Sequence, residues 1–149
     1  IPNRVVVMHT IRQILAEKGD QIWSVSPKDT VYDTIRLMAA KGIGALIVMD
    51  DGELHGIISE RDYARKVILE GRSSRDTQVG DICSSPAITI SPQAAAEEGL
   101  ALMTSKRIRH LPVVEKGQLL GVVSIGDLVN AVIGDQQQLI EQLERYVTG

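Results

Sequence analysis

The chain has 149 residues, 44% of them hydrophobic and 3% aromatic, with a formal net charge of −3. Apolar content on this scale buries one modest core. The acidic balance and the scarcity of aromatic stacking platforms argue against nucleic acid as a partner, because a polyanion binder needs a basic surface.

A single cysteine, Cys83, excludes an internal disulfide, and no Cys/His cluster carries zinc-ligand spacing, so no metal is required. No apolar run reaches membrane length, and a cytoplasmic protein without a membrane partner is the expectation. The chain opens on Ile1 rather than Met; no function is assigned to Ile1 to Val7, and Met8 is a plausible natural start.

In chain order, residues 1–21 read as an N-terminal segment with a helix. The next stretch, 22–71, starts with a short strand over Ile22 to Val25. Thr30 with Asp33 then marks the start of an amphipathic helix that turns Val31, Ile35 and Met38 inward and stops at Gly42. Ala45 to Met49 is a continuous apolar strand, Asp50-Asp51-Gly52 a hairpin turn, and Leu54 to Ile58 the returning strand. Ser59-Glu60-Arg61-Asp62 opens a second helix that runs to about Glu70.

Residues 72–86 form a polar linker, with Arg72-Ser73-Ser74-Arg75 as a solvated basic loop. The stretch 87–134 repeats the order: a strand over Ala87 to Ile90, a helix over Ala94 to Lys106, a strand over Leu111 to Val114, a turn at Glu115-Lys116-Gly117, a strand over Leu119 to Val123, and a helix from about Asp127. Residues 135–149 read as a C-terminal helix. Within it Leu139, Ile140, Leu143 and Val147 form an apolar stripe that either pairs subunits, docks a client or folds back on its own domain.

The two stretches are copies. Pro27 recurs at Pro92, Gly56 at Gly121, Ser59 at Ser124 and Asp62 at Asp127, always 65 residues on. One copy cannot cover continuously apolar strands alone, so the expected fold is α/β (α+β), with two β-α-β-β-α repeats packed as a pseudo-two-fold pair.

The run Lys106-Arg107-Ile108-Arg109-His110-Leu111-Pro112-Val113-Val114, continued by Gly121-Val122-Val123-Ser124-Ile125-Gly126-Asp127, resembles the cystathionine-β-synthase (CBS) domain. Gly56-Ile57-Ile58-Ser59-Glu60-Arg61-Asp62 resembles its partner copy, and a tandem pair of this kind is a Bateman module. The resemblance spans Ile11 to about Ile133.

It implies a regulatory module holding an adenosine-containing ligand in a cleft between the copies: AMP, ADP or ATP first, with NAD or S-adenosylmethionine as alternatives. It implies ribose contacts at Asp62 and Asp127, and adenine enclosed by Thr89 and Ile90 in one copy and Ser24 and Val25 in the other. Arg109 is implied against the phosphates, with His110 and Pro112 beside it. The matching position to Arg109 is Gly44, and Arg61 stands against Gly126, so the two sites are expected to be chemically unequal.

The same residues admit plainer roles. Ser59 with Asp62, and Ser124 with Asp127, are also helix-capping boxes that need no ligand. His110 suits packing, Trp23 suits a core better than an adenine stack, Cys83 reads as structural, and His9 and His55 read as surface positions.

Gly42-Ile43-Gly44 follows a helix and precedes a strand, the reverse of a dinucleotide-binding loop. With no nucleophile-base-orienter set and no P-loop, an enzyme is not expected. The expected partners are a nucleotide, a second copy in a homodimer, and a regulated client protein; a dimerisation module without a physiological nucleotide is the competing reading.

Overall fold

The computed structural model describes residues 8–19 and 21–148. Ile1 to Val7 lie outside the described residues. In chain order the elements are α1 (Ile11–Lys18), β1 (Ser24–Val25), α2 (Val31–Lys41), β2 (Ala45–Asp50), β3 (Glu53–Ser59), α3 (Glu60–Tyr63) continued by a π-helical turn over Ala64–Ile68, α4 (Val79–Ile82), α5 (Ala96–Lys106), β4 (His110–Glu115), β5 (Gln118–Ser124) and α6 (Ile125–Thr148). They divide into two compact units. A mid-chain unit is the continuous stretch Gln21–Ile88, and a split unit combines the start of the chain with everything from Thr89 onward.

In the mid-chain unit the sheet order is β1-β2-β3, with β1 parallel and β3 antiparallel to β2. The hairpin between β2 and β3 turns on Asp51 and Gly52, both at positive φ (52° and 78°), the conformation a tight two-residue turn demands. The Thr30 hydroxyl caps α2 by accepting the Asp33 amide at 3.1 Å. Val31 and Met38 from α2 enter a buried cluster with Leu46, Val48, Ile58 and Val67, as the helical spacing predicts. Val79 and Ile82 complete that cluster from α4, inside the segment read as a linker. The basic loop is tied down as well, with the Arg75 guanidinium 3.9 Å from the Tyr32 ring centre and Arg72 paired with Asp81. Trp23 packs against the cluster while the Lys41 ammonium lies 4.1 Å from its ring centre, which makes it a core-edge residue.

In the split unit β4 and β5 repeat the hairpin, turning on Lys116 and Gly117 at φ 52° and 77°. The strand expected over Ala87 to Ile90 shrinks to one parallel bridge between Ile90 and Val113. The core here is Ile11, Ile14, Ile90, Ala96, Met103, Leu111, Val113, Val123 and Leu128. Two of those come from α1. The Ile11 amide donates to the Ala94 carbonyl and Arg12 to Pro92, just as Val79 donates to Asp29 and Gly80 to Pro27 in the other unit. Each unit therefore has a leading helix, one that precedes one repeat in sequence and packs with the other, α4 in the mid-chain unit and α1 in the split one, at a spacing of 68 rather than 65 residues.

Gly56 and Gly121 sit where these leading segments cross the hairpins. A Cβ on Gly56 would lie 2.3 Å from the Ser84 carbonyl oxygen, and one on Gly121 would lie 2.8 Å from a Leu15 methyl.

The C-terminal helix is continuous with the helix after β5, as one 24-residue α6. Its far half exposes Leu139, Ile140, Leu143 and Val147, so the stripe does not fold back on its own unit. Nearer its start, Asp135 is fully buried and accepts both the His9 amide (2.9 Å) and, on its other oxygen, the His9 ring Nδ1 (2.6 Å). His9, read as a surface residue, is thus half-buried and pins the N-terminal segment to α6.

Candidate functional site

In both units the second hairpin strand runs straight into a helix, and a Ser-x-x-Asp sequence spans the junction. Ser59 accepts the Asp62 amide at 3.1 Å, and the Asp62 carboxylate accepts the Ser59 amide and hydroxyl at 2.9 and 3.0 Å. Ser124 accepts the Asp127 amide at 3.2 Å, and Asp127 accepts the Ser124 amide at 2.8 Å. The capping role of both pairs is therefore realised, and each leaves carboxylate oxygen lone pairs beyond those the serine uses.

In the mid-chain unit Gly44 stands directly before β2, and its carbonyl accepts the Glu60 amide at 3.0 Å, which brings it beside the junction. Ala45 pairs with Ser59, and two residues along the same strand Ile47 pairs with Ser24, so Ser24 and Val25 run along the far side of β2. Arg61 is exposed on α3. The Lys66 ammonium lies 3.6 Å from Asp62 and donates to the Ile82 carbonyl at 3.0 Å.

In the split unit the Arg109 carbonyl accepts the Ile125 amide at 2.8 Å, the counterpart of the Gly44 contact. Arg109 is exposed, His110 is half-buried opposite Ser124, and Pro112 is buried with its carbonyl accepting the Ile90 amide at 3.0 Å. Thr89, the residue before Ile90, is exposed.

A residue outside the expected set completes this junction. Lys18, the last residue of α1, donates to the Asp127 carboxylate at 2.7 Å and to the Val122 carbonyl at 2.8 Å. In sequence, a lysine in the last turn of a helix reads as a partner for the helix dipole. Its true partner is 109 residues away, and the 65-residue repeat offers it no counterpart.

Burial works to raise the Asp127 carboxyl, but the Lys18 ammonium and the Ser124 amide outweigh it and hold the group below its ordinary value. His110 is lowered, first by burial and then by Lys18, against the opposing pull of Asp127, with Arg109 adding to the drop. The imidazole is therefore kept neutral beside two cations and one carboxylate. Among the described residues, no group of three or more His, Cys, Asp or Glu is placed to hold a metal ion. No helix among them is long and apolar enough to cross a membrane.

Two hairpins, each feeding a capped helix and each backed by a leading helix, define a tandem α+β repeat protein. The CBS domain model matches residues 11–69 and 79–134, and the chain belongs to that family, as a CBS domain pair of the generally regulatory kind. It is 41% identical over 150 residues to the CBS domain-containing protein CBSX3, mitochondrial, of Arabidopsis thaliana, covering 94% of this chain and 72% of that one. A solved CBS-domain protein from Burkholderia ambifaria shares 50% identity at a TM-score of 0.82, covering 86% of this chain and 96% of that chain. The hexameric CBS-CP12 protein from bloom-forming cyanobacteria shares 27% identity at a TM-score of 0.74, over 83% of this chain and 71% of that chain.

Proposed function

We propose that this CBS domain pair is a regulatory module that binds an adenosine-containing nucleotide, AMP or ATP ahead of NAD and S-adenosylmethionine, and signals occupancy to a client protein. The observation that carries the reading is the doubled carboxylate at a strand-to-helix junction, Asp62 and Asp127, each with acceptor capacity suited to a vicinal diol such as ribose. Arg109 and Lys18 add positive charge at the second junction, which suits phosphate. Ser24, Val25, Thr89, Ile90, His110 and Pro112 are the proposed lining, with Gly44 and Arg61 making the first site different from the second. A ligand of this kind regulates only through unequal affinity for two states of the protein.

Calorimetric titration with AMP, ATP, NAD and S-adenosylmethionine tests the reading. Heat and a raised melting temperature with at least one of them support it; four heatless titrations with unchanged melting temperatures overturn it.

The competing reading, an interaction module, is favoured by the exposed apolar face of α6. We propose that this face joins two copies in a homodimer, and light scattering of the intact chain measures that directly. The lone free thiol of Cys83 fits a reducing setting such as the cytoplasm.

A further inference from the structure

The junctions at Asp62 and Asp127 are alike in their caps and unlike in what sits on the carboxylate. At Asp62 the nearer oxygen serves Ser59 alone, and the Lys66 ammonium stands off at 3.6 Å. At Asp127 a single oxygen takes both the Ser124 amide and the Lys18 ammonium, at 2.8 and 2.7 Å. Lys18 is also fastened to the Val122 carbonyl, so two of its three donors are committed and one remains. This strap ties the end of α1 to the end of β5. It remains partly open to solvent, with the Lys18 and Asp127 side chains 39% and 26% exposed.

We infer that Lys18 sets the ligand selectivity of the Asp127 junction, excluding nucleosides and admitting nucleotides that carry phosphate. This rests on the nucleotide reading given above. A neutral nucleoside can place one ribose hydroxyl on the other oxygen of Asp127, but its second hydroxyl has to compete with the ammonium on the shared oxygen, and it offers that ammonium nothing in return. A phosphorylated ligand presents anionic oxygens to which Lys18 turns its free donor, or moves outright, so the lost ion pair is replaced by another charge-assisted bond. Exposed Arg109 adds a second cation near the same end of β4, and His110, held neutral, adds no charge against the ribose. S-adenosylmethionine, a cation without phosphate, belongs with the excluded ligands at this junction.

The test is calorimetric titration of the 149-residue chain with adenosine and with ATP, in an Asp62→Ala background that confines binding to Asp127. Lys18→Met is expected to tighten adenosine and weaken ATP, each by about tenfold, the scale of one charge-assisted hydrogen bond. A lysine with a merely structural role would weaken both ligands together. One that acts only through overall charge would weaken ATP and leave neutral adenosine unmoved. Either result overturns the inference. Lys18→Arg, which keeps the charge and the reach, is expected to retain selectivity for ATP and guards against a misfolded Met variant. If the Asp62→Ala protein melts cooperatively and binds neither ligand with Lys18 present or replaced, nucleotide binding at Asp127 itself fails, which is distinguishable from a wrong role for Lys18.

Discussion

His9 and His110 belong to the same unit and face different surroundings. His9 is raised above its ordinary value, chiefly by its bond to Asp135 and further by Glu17, against a smaller effect of burial. The stability it contributes is complete below about pH 6.5 and is lost as pH rises through its elevated folded value. His110 is lowered, so its contribution is complete above about pH 6.5 and is lost as pH falls through its depressed folded value. Chemical denaturation across pH 5 to 9 is expected to show the split unit most stable near pH 6.5, with His9→Gln flattening the alkaline limb and His110→Gln the acid limb. At the junctions, Asp62→Ala is expected to cost about 1 kcal/mol, the worth of a cap. Asp127→Ala costs more, because Lys18 loses its carboxylate, and urea midpoints at pH 7 measure the difference.

Glycine positions decide how closely the leading segments approach the hairpins. Gly56→Ala forces its Cβ against backbone, the Ser84 carbonyl, whereas Gly121→Ala meets only the flexible end of Leu15. The first is expected to cost about 3 kcal/mol and the second clearly less, both read by urea denaturation. Gly134, inside α6 with nothing near its Cβ position, is expected to gain about 0.5–1 kcal/mol as Ala. The hairpins, α2 and α5 were legible because turn glycines and apolar spacing recur in register at 65 residues. The leading helices were not. Their spacing differs by three residues, and α4 has only four residues, too few for a periodic signal. Lys18 and His9 escaped for a related reason, since their partners Asp127 and Asp135 are distant in sequence and neither pairing follows the repeat's register. The Ser-x-x-Asp pairs were legible as motifs, but sequence could not say that a lysine bonds closely to one carboxylate and stands off from the other.

At the scale of the whole molecule, the buried Asp135 divides α6 into a half that holds the split unit together and a half that projects its apolar face. A chain ending at Gln136 keeps the His9 contact, and it is expected to melt cooperatively, with helical circular dichroism reduced only by the removed end of α6, while losing self-association in light scattering. Cutting before Asp135 would remove that contact as well and confuse the two effects. Ile11 and Ile14 make α1 part of the split unit's core, so Ile14→Ala is expected to destabilise it by about 2–5 kcal/mol.

The division of that unit between the two ends of the chain also has a bearing on synthesis. The mid-chain unit is contiguous and becomes complete once Ile88 has emerged from the ribosome, while α1, made earlier, still lacks the strands and helices that bury Ile11 and Ile14. Its backbone partner Ala94 is translated 83 residues after Ile11, a delay of roughly 4 to 17 seconds at ordinary elongation rates. For that interval α1 is a nascent segment with a sticky apolar face, a natural client for chaperones, and the residues from Ile90 to Leu128 are what retire it.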